Sequence, residues 1–507
     1  DPAAPGLRQA SLSLTNNDPD ENPFVLNLSG TGLVPEIVVA GNGLDIVDGD
    51  STPRVADLTD FGSVEVAGAS LTNSFAITNA GTHTLTLGQV SFSGTAAADF
   101  SVVTAPATSL NPGQSTVLAV KFDPSLAGPR SATLSLVTSD DDENPFDFAL
   151  QGTGIVPEIT VAGNGLNISD GDSTPRVDDR TDFGSLEVAG ASVTNSFAIT
   201  NTGTATLILS GFGLSATTDF ALVNSPTGSL APNESTNLLV RFDPGTAGTR
   251  AATLSITNND ADEGVFDFLL QGTGTVPELD VFFGARNLTT GAAASEPDGT
   301  GFAGIPVTGA AFTNAFTLTN AGTATLTLSN FVLSSVTDFQ LVNTPTGNLA
   351  PNESTNLLVR FDPAAPGLRQ ASLSLTNNDA NENPFVLNLS GTGLVPEIIV
   401  AGNGIDIVDG DSTPRVADLT DFGSVEVAAG VVTNSFAITN TGTATLTLNG
   451  FALSATTDFQ LVNSPAGNLA PNQSTNLLVR FDPSAAGLRQ ATLSITNNDA
   501  TKGVFDF

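Results

Sequence analysis

The sequence predicts an all-β protein made of tandem antiparallel β-sandwich domains. The motif Gly-Thr-Gly-x-Val-Pro-Glu begins at residues 30, 152, 272 and 391, which gives spacings of 122, 120 and 119 residues. Short runs of Val, Ile, Thr, Leu and Phe alternate with clusters of Gly, Asn, Asp and Pro, and no segment has a sustained helical period. Repeats of this length match independent small domains, so we expect each unit to have its own core.

Four nearly complete units fill most of the chain. They span residues 34–155, 156–275, 276–394 and 395–507, and residues 1–33 form the C-terminal part of a preceding unit. That part repeats residues 362–394 with two differences, at Pro19 and Asp20, so three units make a super-period of 361 residues. The last strand of unit four is cut short at Phe507. We expect this sequence to be a segment of a longer array. The alternative is that neighbouring chains complete each other's open ends by strand donation.

The predicted strands of the first unit follow its apolar runs in order. They cover residues 37–39, 63–66, 72–78, 84–92, 100–103, 116–122, 131–137 and 146–151. Phe146, Phe148 and Leu150 alternate with polar residues and should point into the core. Phe recurs at three further positions in every unit, where it should supply the large core side chains. These positions are Phe75, Phe197, Phe316 and Phe436; Phe100, Phe220, Phe339 and Phe459; and Phe122, Phe242, Phe361 and Phe481.

Several short motifs of each unit together carry a family resemblance. In the first unit they are Thr-Asn-Ala-Gly-Thr at 78–82, Ala-Asp-Phe at 98–100, Leu-Asn-Pro-Gly at 110–113, Lys-Phe-Asp-Pro at 121–124, Arg-Ser-Ala-Thr-Leu at 130–134 and Gln-Gly-Thr-Gly at 151–154. The combination resembles the choice-of-anchor D domain of bacterial surface proteins, a relative of the ASPM, SPD-2 and Hydin type of immunoglobulin-like domain. The resemblance implies tandem immunoglobulin-like sandwiches in a large secreted or surface-anchored protein, without catalytic residues.

The composition excludes several classes of function. A formal net charge of −37 with two lysines disfavours nucleic acid and anionic membrane surfaces as partners. One His and no Cys leave no catalytic triad or cysteine nucleophile, so we expect no enzyme. No apolar stretch is long enough to span a bilayer. The chain also has no Met, Trp or Tyr, which fits an oxidising extracellular setting or the duplication of one ancestral unit that lacked these residues.

An acidic loop near the start of units one, two and four is the candidate metal site. Clustered carboxylates with Gly turns suit Ca²⁺, which takes six to eight oxygen ligands. The alternative is a solvated loop whose Asp side chains cap turns and pair with Arg54, Arg176 and Arg415. Unit three lacks the loop. The candidate ligands are Asp45, Asp48, Asp50, Asp57 and Asp60; Asp170, Asp172, Asp178, Asp179 and Asp182; and Asp406, Asp409, Asp411, Asp418 and Asp421.

A second acidic segment precedes the last strand of a unit, at residues 17–23, 140–143 and 378–382. Asn, Asp and Pro are common turn residues, so a plain turn is the simpler interpretation. We also consider the hypothesis that this turn lies beside the acidic loop of the next unit. An ion shared between the two would then stiffen the array.

These features predict a structural component of an extracellular bacterial surface filament, stalk or sheath. Its partner should be further copies of itself, with other cell-surface components as additional candidates, and Ca²⁺ is the one cofactor considered. The alternative is the scaffold region of a large adhesin that binds glycan or protein through a domain outside this window. An intracellular scaffold is a third interpretation, which the acidity and the absence of Cys and Met disfavour.

Overall fold

The computed structural model describes residues 3–507, which form strands, turns and one 3-10 helix, Ala97–Asp99. No helix within this range is long and apolar enough to cross a membrane. The chain divides into two compact units between Gly274 and Thr275. Each unit contains two β-sandwich domains, here numbered 1 to 4 along the chain.

The first unit begins with a hairpin and continues with domains 1 and 2. The hairpin strands are β1 (Gly6–Leu14) and β2 (Phe24–Gly32). Domain 1 contains β3 (Ile37–Gly41), β4 (Leu44–Ile46), β5 (Asp60–Glu65), β6 (Leu71–Asn79), β7 (Leu85–Ser93), β8 (Phe100–Thr104), β9 (Ser109–Leu110), β10 (Ser115–Phe122), β11 (Gly128–Thr138) and β12 (Phe146–Ile155). Domain 2 contains β13 (Ile159–Gly163), β14 (Leu166–Ile168), β15 (Asp182–Glu187), β16 (Val193–Asn201), β17 (Leu207–Leu214), β18 (Phe220–Leu222), β19 (Gly228–Leu230), β20 (Ser235–Phe242), β21 (Gly248–Asn258) and β22 (Val265–Thr275).

The second unit contains domains 3 and 4. Domain 3 contains β23 (Leu279–Phe283), β24 (Arg286–Leu288), β25 (Ile305–Pro306), β26 (Phe312–Asn320), β27 (Leu326–Leu333), β28 (Phe339–Leu341), β29 (Gly347–Leu349), β30 (Ser354–Phe361), β31 (Gly367–Asn377) and β32 (Phe385–Leu394). Domain 4 contains β33 (Ile398–Gly402), β34 (Ile405–Ile407), β35 (Val432–Asn440), β36 (Leu446–Leu453), β37 (Phe459–Leu461), β38 (Gly467–Leu469), β39 (Ser474–Phe481), β40 (Leu493–Asn497) and β41 (Val504–Asp506).

Each domain packs two sheets face to face. In domain 1 the strand orders are β4-β3-β6-β10-β8 and β5-β12-β11-β7-β9, and domains 2 and 3 repeat both orders. The neighbours pair antiparallel, apart from β5, which runs parallel to the last strand β12. In domain 4 the second sheet has four strands, β38-β36-β40-β41. The all-β sandwich prediction is therefore confirmed.

All eight strands predicted for the first unit are present. The structure adds β4 and β9, which have three and two residues and carry too few positions to show an alternating pattern. The predicted core positions are also buried, with Phe146, Phe148 and Leu150 in the cluster that joins the two sheets. One of the twelve recurring Phe side chains departs from the prediction. Phe459 of domain 4 is only partly buried at the edge of its core.

The core also contains an aromatic position that the sequence analysis missed. Phe61 at the start of β5 is buried and lies 5.6 Å from Phe100 and 5.7 Å from Phe122, ring centroid to ring centroid. Its equivalents Phe183, Phe302 and Phe422 make the same contacts in the other domains. In domain 1 the strand that pairs parallel with the last strand is thus anchored by an aromatic ring.

The Gly-Thr-Gly motif is explained by packing within the last strand of each domain. A β-carbon at Gly272 would lie 2.5 Å and 2.6 Å from two ring carbons of Phe242. The ring therefore occupies the space that any side chain at this position would need. Gly152 and Gly391 face Phe122 and Phe361 in the same way.

Candidate functional site

The acidic loops hold most of their carboxylates against the protein's own backbone amides. Asp45, Asp406 and Asp178 are exposed, whereas Asp57, Asp179 and Asp418 are buried. In domain 1 four carboxylates each accept a hydrogen bond from a backbone N–H group. The donor and acceptor pairs are Asp147 and Asp48 (2.6 Å), Thr52 and Asp50 (3.0 Å), Thr59 and Asp57 (3.1 Å), and Gly62 and Asp60 (2.8 Å). The equivalent acceptors are Asp170, Asp172, Asp179 and Asp182 in domain 2, and Asp409, Asp411, Asp418 and Asp421 in domain 4.

An arginine supplies positive charge inside two of these loops. Arg54 lies 3.6 Å from Asp50 and 3.6 Å from Asp57, and Arg415 pairs with the equivalent residues of domain 4. The carboxylates are spread over successive turns and do not converge on one point. This geometry favours the interpretation in which the Asp side chains cap turns and pair with arginine, and calcium binding by the loop stays a prediction.

The junction between domains 1 and 2 is a second site with unusual geometry. Val156, the first residue after β12, donates its N–H to Thr204 Oγ1 at 3.1 Å. Its carbonyl accepts the N–H groups of Thr204 at 2.7 Å and Ala205 at 2.8 Å, and the Glu158 carbonyl accepts the N–H of Thr202 at 2.8 Å. The connecting segment is therefore fixed to domain 2 from its first residue.

A buried asparagine holds the turn that grips this segment. Asn201 donates its amide protons to the carbonyls of Ala205 at 2.8 Å and Leu230 at 2.9 Å. Its Oδ1 accepts the N–H of Gly203 at 3.0 Å and, at 3.4 Å, the N–H of Glu158. All hydrogen-bonding groups of the side chain are thus used by the backbone. Asn79, Asn320 and Asn440 are buried in the same place in the other domains.

The upstream side of the junction is fixed as well. The carbonyl of Ile155, the last residue of β12, accepts the N–H of Val66 at 2.9 Å within domain 1. Because Val156 already belongs to the hydrogen-bond network of domain 2, no residue between the two domains lacks backbone contacts. A side chain at Gly203 would collide with the Val156 carbonyl, so this turn requires glycine.

The junction between domains 3 and 4 repeats this arrangement. The Leu394 carbonyl accepts the N–H of Val307 at 2.9 Å within domain 3. The Val395 carbonyl accepts the N–H groups of Thr443 at 2.7 Å and Ala444 at 2.9 Å within domain 4. The same lack of a free hinge residue therefore occurs at both of these junctions.

The N-terminal pole of each domain, where the chain enters it, carries an acidic cluster. In domain 2 the pole consists of Glu158 and the hairpin turn residues Asp260, Asp262 and Glu263. Asp260 is buried, and its Oδ2 accepts the N–H of Ile159 at 2.8 Å. Carboxylate oxygens of Glu158, Asp260 and Asp262 lie within 4.8 Å of one another, and within residues 3–507 this is the one group of three or more potential metal ligands that converges so closely.

The position of this turn corrects the hypothesis of an ion shared with the next unit. Asp140 of domain 1 is bonded at 2.8 Å to the N–H of Ile37, the first strand residue of its own domain. Strand β12 then leads away from this turn toward domain 2, so the turn and the next domain lie at opposite ends of the strand. The acidic turn therefore lies beside the start of its own domain.

Like charges perturb the carboxyl groups of the poles. Burial and the surrounding carboxylates, Asp140 foremost, raise the pKa of Glu143 to about 7. Burial, with the neighbouring carboxylate of Asp262, also raises the pKa of Asp260. In domain 4 burial acts the same way on Asp499, but hydrogen bonds from the amides of Thr501 and Ile398 outweigh it and hold the pKa below its usual value.

A sequence comparison identifies the domains that carry these sites. The sequence profile of the HYDIN/CFA65/VesB-like Ig-like domain matches residues 54–153, 176–268 and 415–505, which is more than half of the chain. The chain belongs to this family of Ig-like domains. The coarse part of the resemblance found in the sequence, an Ig-like repeat family related to Hydin, is confirmed. No curated protein matches the sequence.

Solved structures resemble this Ig-like array only distantly. A protein of unknown function from Porphyromonas gingivalis W83 is 15% identical, with 46% of this chain and 99% of that chain covered and a TM-score of 0.18. The ASH/PapD-like domain 7 of human CEP192 is 16% identical, with 24% of this chain and 86% of that chain covered and a TM-score of 0.15. Extracellular cadherin domains 1–5 of protocadherin gamma B2 are 10% identical, with 100% of this chain and 86% of that chain covered and a TM-score of 0.33.

The Ig-like repeats place two residues in roles that the sequence analysis missed. Asn201 and its equivalents hold the junction turn, and their recurrence two residues before a turn glycine in all four units was the available signal. Lys502 replaces a Glu found at residues 143, 263 and 382, which an alignment of the four copies of the acidic turn shows directly.

Proposed function

We propose that this array of Ig-like domains is a structural component of an extracellular bacterial surface filament, stalk or sheath. The proposal rests on the absence of a free hinge residue at the junction of domains 1 and 2. Ile155 is bonded within domain 1 and Val156 within domain 2. A chain whose domains are joined in this way resists bending, which is the mechanical property that a stalk or filament needs.

The surface chemistry and the family resemblance support the same role. A net charge of −37 repels nucleic acid and anionic membranes, so the partners should be proteins or uncharged surfaces. Self-association would use edge strands or the polar, weakly charged lateral faces, which are rich in Thr, Ser and Ala. The resemblance to choice-of-anchor D domains favours attachment to a bacterial cell surface.

The mechanical part of the proposal is tested by lengthening one junction. Insertion of Gly-Ser-Gly-Ser between Ile155 and Val156 separates the two bonded residues and introduces a flexible linker. We expect electron microscopy of the 507-residue chain to show a broader distribution of bending angles between domains 1 and 2. The same insertion between Thr104 and Ala105, in an exposed loop of domain 1, is the control and should leave the distribution unchanged.

The outcome for the unmodified chain decides the proposal. A bending distribution as broad as that of the junction variant contradicts a rigid array. Electron microscopy of the native material separates the finer alternatives: ordered filaments with a domain-sized axial repeat support the filament. Isolated strings that end in a distinct head would instead indicate the scaffold region of an adhesin.

A further inference from the structure

The N-terminal poles of the four domains form an internal comparison series. The first and second pole residues are Glu and a buried Asp in every domain, and the third and fourth vary. The poles are Glu36, Asp140, Asp142 and Glu143 in domain 1; Glu158, Asp260, Asp262 and Glu263 in domain 2; Glu278, Asp379, Asn381 and Glu382 in domain 3; and Glu397, Asp499, Thr501 and Lys502 in domain 4. Domains 1 and 2 therefore carry four carboxylates each, domain 3 carries three, and domain 4 carries two and an amine.

Domain 4 shows what the shared oxygen atoms of the pole bind. The ammonium group of Lys502 forms an ion pair with Glu397 and donates a hydrogen bond to the Ile398 carbonyl at 3.3 Å. The equivalent oxygens in domain 2 are those of Glu158 and the Ile159 carbonyl. The same place in the fold is thus occupied by a cation in one domain and lined by additional carboxylates in another.

The acidic poles contain an oxygen atom that lacks a partner. Oε2 of Glu263 is buried and accepts no hydrogen bond, and the same holds for Oε2 of Glu143 in domain 1 and of Glu382 in domain 3. Among the ion pairs within residues 3–507, the pair of Lys502 and Glu397 is the one that involves a pole carboxylate. A buried carboxylate oxygen without a donor is costly, because the water that solvated it has been removed.

We propose that the N-terminal poles of domains 1 and 2 each bind one Ca²⁺ ion, and that the Lys502 ammonium group replaces this ion in domain 4. The ligands in domain 2 are carboxylate oxygens of Glu158, Asp260, Asp262 and Glu263 and the Ile159 carbonyl. An all-oxygen, carboxylate-rich set suits Ca²⁺, and without His or Cys it disfavours Zn²⁺. This site is distinct from the acidic loops, most of whose carboxylates already accept hydrogen bonds from backbone amides.

A bound ion would also act on the domain junction. Glu158 precedes the first strand of domain 2, and Asp260, Asp262 and Glu263 belong to the turn between β21 and β22. An ion that bridges them ties the incoming segment to the last hairpin of the same domain. This adds to the hydrogen bond between Asp260 and the Ile159 N–H, which is present in all four domains in equivalent form.

The test transfers the turn of domain 4 into the acidic poles of the 507-residue chain. The variants are D142T/E143K, D262T/E263K and the combination of both. These substitutions use residues that domain 4 already accommodates at the same positions, so the folds should be retained, which circular dichroism checks. Calcium chloride is titrated by calorimetry and by equilibrium dialysis up to about 10 mM, because extracellular calcium modules bind as weakly as about 1 mM.

We expect each double variant to lose one bound Ca²⁺ and the combined variant to lose two. The reverse variant, T501D/K502E, should gain one ion in domain 4. The loop variant D50N/D172N/D411N is the matched control and should keep the stoichiometry of the unmodified chain. Calcium should also raise the melting temperature of the unmodified chain more than that of the combined variant.

Three results would overturn the proposal. The unmodified chain could bind no Ca²⁺ over the titrated range. The stoichiometry could be unchanged in the combined variant. The ions could disappear from the loop variant while the combined variant keeps them, which would assign calcium to the acidic loops.

Discussion

Replacing Asn201 with alanine removes the side chain that organises the junction turn of domain 2. Three of its hydrogen bonds are 3.0 Å or shorter, to the Ala205 and Leu230 carbonyls and from the Gly203 N–H. Asn201 has no exposed surface, so water cannot readily replace these bonds. An unsatisfied buried polar group costs about 1–3 kcal/mol. Three such groups, partly relaxed, give an expected loss of about 3–5 kcal/mol, out of a stability of about 5–15 kcal/mol for a typical domain.

The assay must resolve one domain within the array, and the chain has no Trp or Tyr whose fluorescence could report on unfolding. Hydrogen exchange with mass spectrometry does so, because peptides from β13 to β22 report on domain 2 alone. A loss of about 3 kcal/mol corresponds to roughly a hundredfold loss of protection. Peptides of domain 4, where Asn440 is intact, provide an internal reference, and N237A at an exposed position of β20 is the control. Loss of protection below about tenfold, or equal to that of N237A, would refute the reasoning.

Two further predictions concern the core and the pH dependence of domain 2. G272A should destabilise it by about 1–3 kcal/mol, because the new methyl group overlaps the Phe242 ring; an unchanged calorimetric transition would contradict this. The hydrogen bond from the Gly245 amide lowers the pKa of Asp219 below its usual 3.8. Burial acts in the opposite direction, and the positive charge of Arg250 lowers the pKa further. Its stabilising contribution is therefore complete above about pH 4 and is lost as the pH falls further. D219N should flatten the melting-temperature profile below pH 4, and an unaltered profile would count against the assignment.

The sequence predicted the strands well because both faces of each sandwich impose a simple pattern. Phe146, Phe148 and Leu150 alternate with polar residues, and the β-branched runs are long enough to show the period. Phe61 escaped notice although it recurs in all four units, because the polar residues around it obscured a strand pattern. Its burial depends on the parallel pairing of β5 with the last strand, which local sequence does not reveal.

The candidate sites were predictable only in part, because they depend on contacts between distant residues. Asp140 meets Ile37 across 103 positions in the sequence, and only the fold brings them together. Local sequence therefore associates the acidic turn with the wrong neighbour and favours the acidic loop as the metal site. In that loop the carboxylates are close in sequence, but Asp50 and Asp57 cap separate turns.

Comparison of the four N-terminal poles distinguishes the residue that the fold requires from the residues that would bind an ion. The buried Asp binds the first strand amide in every domain, including domain 4, where Lys502 supplies the positive charge. That Asp is therefore part of the fold, and its presence alone says nothing about calcium. The second and third residues after it vary from Asp-Glu in domains 1 and 2 to Thr-Lys in domain 4, and in each case the turn connects two paired antiparallel strands. Under the calcium proposal, these two positions distinguish the poles of domains 1 and 2, which would depend on the ion, from the pole of domain 4, which would not, although the four domains share one fold.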